Sequence, residues 1–220
     1  MAAAAPQAPV ASRASPAANA RSREARLKRL VGEIRACRVC AAQLPFGPNP
    51  ILSVGKGTAP ILLIGQAPGT KVHATGVPWN DPSGDRLRDW LGVSREAFYD
   101  TRNFAIFPMG FCYPGRGRSG DLPPRRECAP LWHDKLLKLL PNLRLIVLIG
   151  AYAQARYLKD KSKAGLTETV RAWRDYVEEG YVPLVHPSPR NVGWFKKNPW
   201  FEREIVPFLK ERKRTLLPDL

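Results

Sequence analysis

The sequence predicts a three-layer α/β/α domain around a central, mostly parallel four-stranded sheet. Two observations carry that prediction. Four short, continuous apolar runs are bounded by Gly, Pro or charged residues, at 61–65, 104–107, 145–150 and 181–185. Runs of this kind read as strands covered on both faces rather than strands with one wet face. Between them lie longer segments with apolar residues at helical spacing, and strands that alternate with helices imply parallel pairing with crossover helices.

The elements follow in order. Residues 1–21 are rich in Ala, Pro and Ser, with almost no large apolar side chain. Such a stretch cannot bury enough surface to offset its ordering entropy, so a disordered tail is expected there. It has no continuous apolar core of a secretory signal, while its lack of acids and its Arg13 and Arg21 keep a transit peptide open. A single domain is expected over 22–220. From Ser22, Leu27, Leu30, Val31 and Ile34 recur at helical spacing towards Cys37. Pro45, Pro48 and Pro50 then make an irregular connection. Further helices are expected at about 83–92, 129–140, 151–158 and 167–178, and a last one near 199–212. In sheets of this type ligands bind beyond the carboxyl ends of the strands, so the segments after the strands are where chemistry is sought.

Composition narrows the class of partner. The 220 residues carry 35 Lys+Arg against 19 Asp+Glu, a formal net charge of +16. A basic excess of that size favours an anionic partner, most often nucleic acid. No apolar run reaches the roughly 18–20 residues of a membrane helix, so no membrane partner is expected. A cytoplasmic, nucleoid-associated monomer is the expected form. The four cysteines do not resemble a secreted disulfide framework; metal ligands or buried thiols fit better.

Two segments draw attention. After the first strand comes Gly65-Gln66-Ala67-Pro68-Gly69, where two glycines around a proline make a tight turn whose amides can approach a ligand. After the last strand comes His186-Pro187-Ser188-Pro189-Arg190-Asn191, a histidine on a proline-stiffened loop followed by side chains suited to phosphate or base contacts. Each alone is weak. Cys37 and Cys40 form a C-x2-C pair, joined by Cys112 and Cys128, and four thiolates hold either zinc or a [4Fe–4S] cluster.

Taken together, the G-Q-x-P-x turn and the H-P-S-P loop strongly resemble the two active-site motifs of the uracil-DNA glycosylase superfamily. Leu148-Ile149-Gly150-Ala151-Tyr152-Ala153-Gln154 looks like that superfamily's strand–Gly–x–Tyr–Ala–Gln junction. The stretch from Gly76 to Gly84, containing Trp79, Asn80 and Asp81, is similar to a segment of the bacterial iron–sulfur branch in which an aromatic ring stacks on the flipped base. The cysteine spacing and the prolines between the last two cysteines resemble that branch as well, which favours a [4Fe–4S] cluster over zinc.

The resemblance implies a uracil-DNA glycosylase-like fold and excision of uracil from DNA by hydrolysis of the N-glycosidic bond, leaving an abasic site. It implies that His186 hydrogen-bonds the leaving base, that Trp79 supplies a stacking face, and that Gly65 to Gly69 line the base pocket, with the amides around Gln66 and Ala67 assisting. Ser188, Arg190 and Asn191 are then DNA-contacting, with Arg190 as wedge or phosphate ligand. Besides Arg190, which stands where the family often carries an apolar wedge, two departures from the family pattern matter. Gln66 and Ala67 stand where the superfamily carries a carboxylate, so Asp81 is the expected substitute and Asp85 the fallback. Asp81 before Pro82 reads equally well as the start of a turn. Pro108 stands where an Asn reads the uracil edge, so Asn80 is the expected replacement, and discrimination against other deaminated bases is expected to be loose. The alternative function is a binder that recognises or covalently traps uracil or abasic DNA through His186; the absence of a basic insertion near either motif weighs against trapping.

Overall fold

The computed structural model describes residues 15–118 and 120–220. Four strands, β1 (Ile61–Ile64), β2 (Phe104–Ile106), β3 (Leu145–Ile149) and β4 (Tyr181–Leu184), form one sheet in the order β2-β1-β3-β4. All three pairings are parallel, with Ile61 opposite Phe104 and Leu145, and Ile146 opposite Tyr181. The strand runs are apolar without alternation because the two faces of the sheet carry separate cores. Leu62, Ile64, Ala105 and Leu148 face a core closed by α1 (Pro16–Arg35), α5 (Cys128–Leu137) and α6 (Ala151–Leu158). Ile61, Leu63, Ile106 and Val147 face the other, closed by α3 (Pro82–Leu91), α7 (Leu166–Arg171) and α10 (Val206–Leu216). Side chains two apart on a strand share a face, so burial of both faces demands this pattern. Among the described residues no helix is long and apolar enough to cross a membrane.

Several elements differ from the sequence expectation. Of the expected tail, 1–14 lie outside the described residues, but 16–21 form the first turns of α1. The Ser15 hydroxyl accepts from Ala18 N at 3.2 Å and Pro16 sits at the first helical position, a favoured start signal. The helix expected over 167–178 is two pieces, α7 and α8 (Arg174–Val177), with Trp173 buried at their junction. The last helix begins as a wide π-turn, Phe201–Ile205, before α10; Pro207, which has no N–H for an α-helical ladder, follows at once. Three short helices were not foreseen: α2 (Thr70–Thr75), α4 (Arg95–Tyr99) and α9 (Val192–Lys197).

Two buried polar side chains tie the strand ends that carry the motif loops. Gln154 is 3% exposed; its amide donates to Leu184 O at 2.9 Å, joining α6 to the end of β4. His133 is fully buried between Tyr157 Oη (2.7 Å from Nδ1) and Pro108 O (3.1 Å from Nε2). The carbonyl can only accept, so Nε2 bears the proton and the tyrosine hydroxyl donates to Nδ1. Burial lowers the His133 pKa to about 4. The folded state therefore resists protonation that the unfolded chain accepts near pH 6.5, and stability is lost as pH falls from about 6.5 to 4. This histidine is expected to account for a loss of about 3 kcal/mol across that window, at 1.36 kcal/mol per pKa unit. Urea midpoints of the wild type and His133→Asn at pH 7 and pH 4 should converge on the acid side; a constant gap would show that the histidine is not the titrating group.

Candidate active site

The chain reverses its direction across the sheet at β1, which has β2 on one side and β3 on the other. A switch of that kind opens a crevice at the carboxyl ends of the strands. The turn Gly65 to Gly69 leaves β1 there, and the ladder to β2 continues past the strands: Met109 N donates to Gly65 O at 2.9 Å and Gly110 N to Gln66 O at 3.0 Å. From β4 the chain runs into His186. A cavity lies between these loops, lined by Gly65 to Gly69, Trp79, Asp81, Pro108 and His186, with Ile51, Val72, Pro78 and Ile106 as apolar wall.

Trp79 forms one side of this cavity in a conformation that bulky residues avoid, with φ +58°. Two glycines make room for it. A Cβ on Gly65 would stand 2.8 Å from the indole, and one on Gly84 would stand 1.7 Å from Trp79 O. The carbonyls before and at the bend are held by Tyr99 Oη, which donates to Pro78 O at 2.9 Å, and by Arg88 Nη1, which donates to Trp79 O at 3.4 Å. The Trp79 and His186 rings lie 5.4 Å apart, at 31°.

Asp81 both starts a helix and borders the cavity. Its Oδ1 accepts from Gly84 N at 2.8 Å, capping α3, and its carboxylate lines the cavity. Burial lowers the His186 pKa, while the negative charges of Asp81 and Asp121 act weakly in the opposite direction. The imidazole is therefore neutral at pH 7, able to donate from one nitrogen without carrying charge. Asp121 was not foreseen. It stands on the hairpin after Cys112, bridged to Arg116, and its Oδ2 lies 3.4 Å from where a Gly69 Cβ would be. Nothing in its local sequence marks it, because its place at the cavity comes only from folding of that hairpin.

Other expected residues are engaged elsewhere. Asn80 does not line the cavity; its Oδ1 accepts from Arg95 Nη2 at 2.8 Å. Asp85 is paired with the buried Arg88 and is likewise outside the cavity. Asn191 donates to His186 O at 2.8 Å, and Ser188 Oγ accepts from Arg190 N at 3.3 Å, so both side chains brace the loop itself. Arg86 Nη1, 3.4 Å from Pro187 O and Ser188 O, adds to that bracing. Arg190 is exposed and reaches across to Gly120, where a Cβ would stand 2.6 Å from Nη1.

The four cysteines converge on a second, mostly apolar concavity walled by Ile34, Leu44, Phe111 and Trp132. Cys37 follows α1, Cys112 lies beyond β2 and Cys128 opens α5, so distant segments meet there. None is in a disulfide. Among the described residues no three His, Cys, Asp or Glu side chains form a closed metal-ligand shell. The donor set nevertheless fits a thiolate-held group. Burial pushes Cys128 up to about 12 and raises Cys112 and Cys40, and the sulfurs raise one another. Such thiols stay protonated on their own and become thiolates only with a cation between them, which is what a thiolate-held group would supply.

Comparison with known proteins agrees with this arrangement. The chain is 26% identical over 168 residues, 72% of each chain, to a type-4 uracil-DNA glycosylase of Saccharolobus solfataricus. The model of the uracil DNA glycosylase superfamily matches residues 52–210. That match runs through both motif loops and all four strands, and the chain belongs to the uracil DNA glycosylase superfamily.

Proposed function

We propose that this chain is a monofunctional uracil-DNA glycosylase that excises uracil, and related deaminated bases, by hydrolysis. The observation that carries this reading is the meeting of His186, Trp79 and Asp81 around one cavity floored by the Gly65–Gly69 turn. A stacked nucleotide is out of reach, so the target must be extruded into the cavity, where Trp79 offers a stacking face. As the N-glycosidic bond breaks, its electron pair leaves with the base, which becomes anionic, and the sugar becomes cationic at C1′. Neutral His186 donates to O2 of the departing base, and the backbone amides of the Gln66–Ala67 turn add to that stabilisation. Asp81 stands opposite in charge to the sugar cation and accepts the proton of the water that attacks C1′. Capping of α3 through Oδ1 fixes that carboxylate in place. The cavity carboxylate favours turnover over a binder that merely holds the lesion.

Four cysteines, Cys37, Cys40, Cys112 and Cys128, are assigned to a [4Fe–4S] cluster. When bound, such a cluster clasps the chain structurally and takes no part in hydrolysis. Its residues would fasten the end of α1 to the loop after β2 and to the start of α5.

Replacing Asp81 with Asn keeps a good helix cap. Its single-turnover excision rate is expected to fall about 10²–10⁴-fold, the usual share of a positioned base, with melting temperature preserved; an unchanged rate removes Asp81 from the mechanism.

Base reading is expected to be loose. Asn80 is held by Arg95, and Pro108 O is held by His133, which leaves Gln66 as the one side-chain amide among the described cavity residues. An amide presents a donor and an acceptor, so it can meet either edge pattern. On matched oligonucleotides, excision of hypoxanthine or xanthine should accompany that of uracil; activity confined to uracil would contradict this.

Cys112→Ser should remove broad absorbance in the blue and the bound iron and lower the melting temperature, whereas Asp81→Asn retains all three. Stoichiometric zinc in colourless wild-type protein would replace the cluster assignment.

A further inference from the structure

On the far side of α2 from the cavity stands a group of rings that excision does not use. Val72 lines the cavity, but the next residue, His73, packs against Phe46 and Tyr113. The Phe46 and Tyr113 rings stack with centroids 5.5 Å apart and 27° between planes; His73 lies 6.0 Å from Phe46 and 5.8 Å from Tyr113. Tyr113 is 2% exposed and is fixed to the start of α2 by the Thr70 hydroxyl, 3.2 Å from Tyr113 Oη. Asn49 Nδ2 donates to His73 O at 3.0 Å from the other side. Phe46 is thus seated on a rigid base, yet it is 63% exposed. Leaving a phenylalanine in water forgoes about 1.5–3 kcal/mol of burial. A ring held flat against a buried tyrosine offers its outer face to a partner.

Charge around the ring indicates what that partner is. Pro45 touches Gly115, where a Cβ would stand 2.8 Å from Pro45 Cγ, so the hairpin that follows lies beside Phe46. That hairpin exposes Arg116 and Arg118, and at its far end places Asp121 against Gly69 of the cavity turn. The aromatic face and the base cavity therefore share α2 on one side and this basic hairpin on the other. Flat rings beside arginines are how proteins hold unpaired nucleic-acid strands, the rings taking bases and the cations taking phosphates.

We propose that the outward face of Phe46 is a stacking platform for a nucleobase flanking the extruded nucleotide on the bound strand, with Arg116 and Arg118 on the adjacent phosphates. The proposal rests on reading the cavity as the base pocket. An unpaired base can lie on the platform without leaving a duplex stack, so the contact favours single-stranded or locally opened DNA.

The test uses the full chain as wild type, Phe46→Ala and Phe46→Leu. Each is titrated at fixed salt with single-stranded oligonucleotides that carry a non-cleavable abasic analogue and 2-aminopurine on its 5′ or 3′ side. Both variants are expected to bind about 5- to 150-fold more weakly, the range of base–aromatic stacking. Quenching of 2-aminopurine on one side should occur with wild type and be lost with both variants. Affinity within twofold of wild type overturns the proposal. So does a loss with Ala that Leu restores, which would mean apolar contact without stacking. Self-association of wild type that Phe46→Ala abolishes would assign the ring to a second copy and overturn it as well. Alkali cleavage after incubation of wild type with a uracil-containing strand reports separately on the cavity. Excision with unaltered Phe46→Ala binding sinks the platform alone; Phe46-dependent binding without excision sinks the glycosylase reading alone.

Discussion

The bend at Trp79 is the constraint on which the site depends. A left-handed backbone at a bulky residue costs about 1–3 kcal/mol and persists only where its surroundings over-determine it. Here they do. Gly65 and Gly84 leave the space, Arg88 and Tyr99 hold the neighbouring carbonyls, and Asp81 locks the start of α3 two residues later. The bend turns the indole towards His186 and sets the Asp81 carboxylate at the cavity. Two groups of the cavity, Trp79 and Asp81, are therefore positioned by one local distortion, facing a histidine that the loop after β4 brings from the other side.

Electrostatics divides the molecule into two scales. Over the whole surface a charge of +16 draws in a polyanion. At the cavity the sign reverses, for Asp81 lines it and the charges of Asp81 and Asp121 both act on His186. A positive exterior and a negative interior suit a reaction in which the backbone must be captured and a cationic sugar must be stabilised. Burial favours the neutral form of His186, so the imidazole can offer an N–H without adding a positive charge beside Asp81.

Most of the fold was legible because burial of both sheet faces leaves an unmistakable continuous apolar run, and all four such runs are strands. The two motif loops were legible because their glycine and proline pattern is local. What escaped was non-local. Asn80 is spent on Arg95 and Asn191 on a carbonyl of its own loop, and no spacing rule reveals where an amide finds its partner. Asp121 reaches Gly69 of the cavity turn from a hairpin far along the chain. Asp81 shows a different limit: a turn start before Pro82 and a site carboxylate read as rivals, yet the residue whose Oδ1 caps α3 also lines the cavity.

The cysteine recess and the cavity are not independent. The chain that leaves β2 passes Pro108 at the cavity wall, pairs Met109 and Gly110 with the Gly65–Gln66 turn, and reaches Cys112 within two more residues. On its return it enters α5 at Cys128, whose sulfur accepts from Phe111 N at 3.3 Å, and α5 then presents His133 to Pro108 O. Residues 108–133 are thus a closed strap, anchored at one end by sulfur and at the other by a buried imidazole, with the basic hairpin between. Closing a loop removes chain entropy, and a thiolate-held cluster would do so where hydrogen bonds alone bear the strap. A group held by these four sulfurs would thus stiffen the wall of the cavity from a distance, through the strap rather than by contact.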